Sequence, residues 1–99
     1  MRIGYKTARH LKKELLGRFG RQKKVGIEEL TNALVKCGIV SALHEAESEI
    51  PKITDRAIEL KKPHIGFHFA HTKRLYIQQS DSGDSYNVKA VISPPYWGD

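Results

Sequence analysis

The spacing of apolar residues changes at Pro63, and that change constrains the fold more than any other feature. Before Pro63 apolar side chains recur at steps of three and four, and after it they alternate at every second position. Such a chain places helices first and strands last. The expected class is α+β, with three or four N-terminal helices followed by a small three-stranded antiparallel sheet. A winged-helix-like arrangement is compatible with the same order. At 99 residues the expectation is one small domain over 1–93 with a short C-terminal tail over 94–99.

The helical half divides as follows. Ile3 and Tyr5 alternate with polar neighbours and suggest a short strand over Met1–Lys6. Thr7 is the expected N-cap of a helix to about Leu16, with Ala8, Leu11 and Leu15 on one face. Gly17 and Gly20 then open a basic loop, Arg18–Val25. The second helix follows Gly26. Glu28 and Glu29 lie in its first turn and Lys36 near its end, where the helix dipole favours those charges, and Gly38 stops it. Its inner face is Ile27, Leu30, Leu34 and Cys37. A third helix, capped by Ser41, carries the stripe Leu43, Ala46, Ile50, Ile53, Ala57 and Leu60. Pro51 falls within that stripe and predicts a kink or break near Ile50.

In the strand half, Ile65, Phe67 and Phe69 form one alternating run and Leu75 and Ile77 another, joined as a hairpin by a tight connection at His71–Lys73. A longer turn at Ser80–Ser85 leads to a third strand through Val88, Ala90 and Ile92.

Charge points to function. Residues 1–24 hold nine Lys and Arg against one acid, Glu14, a net of +8 in a chain whose total is +6. The remaining residues are slightly acidic. A field concentrated in this way fits a polyanion. The expected contacts are Arg9, Lys12 and Lys13 on the first helix with Arg18, Arg21, Lys23 and Lys24 in the loop after it, and the expected partner is DNA or RNA held by its phosphates. The bland alternative is a solvated, solubilising surface. Glu45, Glu47 and Glu49 make the third helix a poor reader of a DNA groove, so the basic segment is the better contact.

Other residue sets suggest other roles. The outward face of the sheet is expected to carry His68, Arg74, Tyr76 and Lys89, a set able to supply acid–base chemistry and phosphate stabilisation. In size, charge and residue types this resembles small basic ribonuclease toxins of the RelE kind. No motif is shared, and no residue role carries over. Ser93-Pro94-Pro95-Tyr96 looks like the catalytic tetrapeptide of DNA amino-methyltransferases, but no glycine-rich cofactor loop accompanies it. Tyr96 and Trp97, or the acidic helix, can instead serve a protein-binding adaptor or inhibitor module, as in viral or mobile-element accessory proteins, or a homodimer contact. His64 and His68 on one strand face would stand about 13 Å apart, too far for one ion. No metal or cofactor is therefore expected, and a binding protein is favoured over an enzyme. The lone Cys37 fits a reducing compartment. No apolar run reaches membrane-span length and the start is too charged for a signal peptide, so the expected location is cytoplasmic, with no membrane partner.

Overall fold

A computed structural model describes residues 3–54, 56–60 and 72–93. The class is α+β. Helix α1 (Tyr5–Leu16) leads into strand β1 (Gln22–Gly26), helices α2 (Ile27–Lys36) and α3 (Leu43–Ile53), a two-residue strand β2 (Ile58–Glu59), and two long strands, β3 (Thr72–Gln79) and β4 (Ser85–Ser93). The sheet is antiparallel, in the order β1-β4-β3-β2.

Helix α2 forms where its signals place it. Glu28 and Glu29 occupy the first turn, and the end is a Schellman motif. Gly38, at φ +73°, donates to the Val35 carbonyl, and the amide of Ile39 reaches back to Leu34. Tyr5 and Lys6, expected in a short strand, are helical instead: α1 begins at Tyr5 with Gly4, not Thr7, as its N-cap, and Ala8 donates to the Gly4 carbonyl. Its buried stripe is Ala8, Leu11 and Leu15, as the spacing requires.

The third helix departs further from expectation. Its N-cap is Ala42 rather than Ser41, and the Glu45 carboxylate accepts a hydrogen bond from the Ser41 backbone N–H at 3.1 Å. Pro51 is accommodated in the last turn without ending the helix, which stops two residues later as Thr54 turns extended. Beyond it the three- and four-residue repeat is coincidental. Ile58 and Leu60 are buried by strand pairing, the Leu60 amide donating to the Lys73 carbonyl, while Ala57 is exposed. Leu43, expected inward, is 54% exposed.

Among the described residues the sheet has four strands rather than three. The additional long-range strand is β1, made from residues expected to be loop. It holds a single buried apolar residue, Val25, so alternation was invisible there, and as an edge strand it tolerates lysines. Thr72 and Lys73, expected in a tight turn, pair with Ser93 and Ile92 inside β3. Opposite Leu75, on the side away from β4, stands Ile58 rather than the expected Ile65–Phe69 strand. That strand and His71 lie outside the described residues, as do His64 and the tail 94–99.

The inner sheet face (Val25, Leu75, Ile77, Tyr86 and Val88) packs with Leu11 and Leu15 of α1, Leu30 and Leu34 of α2 and Ile50 and Ile53 of α3 in one apolar cluster. Two features of this packing build the site. Strand β4 runs past the end of β1, so the edge beyond Lys89 faces the α1–β1 connection, where the Ala90 amide donates to the Arg21 carbonyl at 2.8 Å. Lys73 continues the inner face beyond Leu75, towards α1.

Candidate nucleic-acid interface

The turn after α1 is shaped by two glycines. Gly17 sits at φ +77° and ψ −177°, backbone open essentially to glycine alone. Gly20 is pressed against the helix end, where a Cβ would collide with the Leu16 carbonyl oxygen. Lys12 closes the turn from the helix side, its Nζ donating to the carbonyls of Gly17 (3.3 Å) and Arg18 (3.1 Å). The turn therefore folds back on α1 rather than trailing away from it.

This brings cations from three elements around one end of the molecule. A concavity of about 510 Å³ is lined by Lys12, Arg18, Phe19, Gly20, Arg21, Lys73, Lys89, Ala90 and Val91. A second, of about 380 Å³, shares Lys12, Arg18 and Lys73 with it and adds Arg9, Lys13 and Leu60. Seven bases line the two hollows and no acid does. Lys12 and Lys73 are close enough to matter electrically. Burial, and after it the Lys73 charge, lowers the Lys12 pKa below the usual lysine value.

Four bases elsewhere are paired with carboxylates. Lys23 meets Glu29 at 3.0 Å, Lys36 meets Glu14 at 3.8 Å, Lys52 meets Glu49 at 3.2 Å and Arg74 meets Glu59 at 3.0 Å. Among the described residues, the bases of the concavity form no ion pair.

The expected contacts thus divide. Arg9, Lys12, Lys13, Arg18 and Arg21 come together. Lys23 turns to the inner face and its partner Glu29, and Lys24 stands on the outer face opposite Asn87, so neither lines the concavity. Lys73 and Lys89 join it instead. The sequence places Lys73 in a tight turn, yet it continues the every-second-residue run of Leu75 and Ile77, a signal that extends that strand by one step. Phe19 was not singled out by the sequence. It is 85% exposed, with the Arg18 guanidinium 5.4 Å from the ring centre.

The outward sheet face does bring Tyr76 opposite Lys89, with Arg74 two residues along β3. Arg74, however, is occupied by Glu59, a hydrogen bond that raises its pKa further. His68 lies outside the described residues, as do Tyr96 and Trp97. Cys37 is half-buried, and burial, then the nearby Glu14 charge, pushes its thiol up to about 11, the reverse of nucleophile activation. Among the described residues no group of His, Cys, Asp and Glu can hold a metal ion, and no helix is long and apolar enough to cross a membrane.

The chain matches no protein-family model, no curated protein and no solved structure at a significant level.

Proposed function

We propose that this chain binds DNA or RNA through its phosphate backbone, using the concavity between α1, the Gly17–Arg21 turn and the ends of β3 and β4. One observation carries the reading. Seven bases converge there without an acid, while Lys23, Lys36, Lys52 and Arg74 elsewhere are matched with carboxylates. Holding Lys12 and Lys73 together costs electrostatic free energy, which an anion between them would recover. A merely solubilising surface has no need of such convergence. Backbone contacts of this kind position a nucleic acid without reading it, so limited base specificity is expected.

Charge, set against the element order, supports placing the partner here. Helix, strand, two helices and two long strands, with β1 beside the last strand, resembles the winged-helix arrangement. There α3 would enter the groove and the β3–β4 turn would be the wing. Here α3 carries Glu45, Glu47 and Glu49, and the turn carries Asp81 and Asp84. Both elements would repel phosphate. The basic face lies instead on α1 and the turn that follows it, so the arrangement serves a different docking geometry.

The test is a salt titration. Affinity for a generic single strand and a generic duplex, followed between about 50 and 300 mM KCl, should give a straight log–log plot with a slope of about −3 to −6. A flat plot, or no binding to either probe, would sink the reading.

A further inference from the structure

We propose that the strand held in this concavity is unpaired, and that one of its bases stacks on Phe19. This rests on the phosphate-binding reading above and adds the class of ligand.

Among the described residues Phe19 is the most exposed large hydrophobic, and it lies within the basic lining rather than apart from it. A large apolar ring turned to water is unfavourable by itself, and three features hold it there. Gly17 supplies a backbone conformation that other residues disfavour, Gly20 allows the turn to lie against the Leu16 carbonyl, and Lys12 ties the turn to α1 through two carbonyls. The ring is therefore displayed from a braced turn, at little further cost in ordering when a ligand arrives. Arg18 sits against the ring, and with 85% of the residue exposed a flat partner has room to stack. A guanidinium, an aromatic ring and a base make a favourable stack.

The surroundings choose between paired and unpaired strands. Ala90 and Val91 add apolar lining to the hollow beside the cations, and Leu60 does the same in the adjoining one. A duplex offers its phosphates outward but keeps its base faces stacked inside, so it could use the cations and not the ring. An unpaired strand offers both at once, and the combination of a basic groove with an aromatic platform is the chemistry by which single strands are held. The platform accepts any base, in agreement with the limited specificity expected of the phosphate contacts.

The experiment uses the full chain and three probes at one salt concentration: a short single-stranded oligonucleotide, the same sequence as a duplex, and an abasic strand of equal length. Phe19→Ala should weaken single-strand binding about 5- to 150-fold while leaving the duplex and the abasic strand unchanged. Phe19→Trp should restore it. The ring touches solvent, so neither variant threatens the fold. If Phe19→Ala leaves the single strand unaffected, or weakens the duplex equally, the stacking inference falls while phosphate binding stands. If the unaltered protein binds none of the probes, both fall.

Discussion

Replacing Arg18, Arg21 and Lys73 together by alanine is expected to weaken nucleic-acid binding about 100- to 1000-fold near 100 mM salt, and to flatten the log–log salt slope by about 2 to 3. The three residues come from the turn and from β3, and all line the larger hollow. Each removes one cation that has no carboxylate partner among the described residues. The comparison that gives this result meaning is the triple substitution of Lys23, Lys36 and Lys52. It removes the same formal charge, but from residues already matched with Glu29, Glu14 and Glu49. If net charge alone attracts the ligand, the two triple variants lose affinity equally. If the concavity is the binding site, the second variant changes affinity only about threefold, through the long-range field. Neither triple variant touches the buried core. Loss of Lys73 relieves its repulsion with Lys12, so the melting temperature of the first variant should hold or rise slightly.

Leu11→Ala is expected to cost about 2–5 kcal/mol, the largest stability effect of any substitution considered for this chain. Leu11 is fully buried in the cluster that joins α1 to the sheet, one residue before Lys12 and two after Arg9. Truncation leaves a cavity under the helix that carries half the site. A domain of this size has only about 5–15 kcal/mol to lose. A drop of roughly 10–30 °C in melting temperature, followed by circular dichroism, is the corresponding reading. Nucleic acid in excess should restore part of it, because the folded state alone presents the assembled cations. A loss below about 1 kcal/mol would mean that α1 is not docked as described, and the concavity would lose one of its walls.

Much of the architecture was legible from local chemistry. α2 announces itself through Glu28, Glu29 and Gly38, and α1 through the spacing of Ala8, Leu11 and Leu15. Errors arose where a pattern was too short or accidentally continued. Val25 alone could not reveal β1, whose lysines look like loop until the strand is seen at a sheet edge. Ile53, Ala57 and Leu60 extend a helical repeat by coincidence, because Ile58 and Leu60 are buried by pairing with β3 rather than by a helix face.

The candidate site was half visible. The run of bases up to Arg21 showed that an electropositive region exists, since charge is additive along a sequence. It could not show which of those bases share a surface. Lys23 and Lys24 point to opposite faces of β1 because a strand alternates, and only the strand assignment separates them. Lys73 and Lys89 reach the concavity through sheet register, a long-range property with no local trace in residues 1–24. Phe19 has no sequence signal of its own, because a single aromatic in a glycine-bounded segment reads as ordinary until its exposure is known.

The most direct test of the central claim is to map the bound strand onto the protein by backbone amide chemical shifts during titration with a short single-stranded oligonucleotide. The expected result is perturbation concentrated at 17–21, the second half of α1, Lys73 and 89–91, with α3 and the Ser80–Ser85 turn unchanged. Perturbation concentrated on α3 and that turn, leaving 17–21 unmoved, would contradict it.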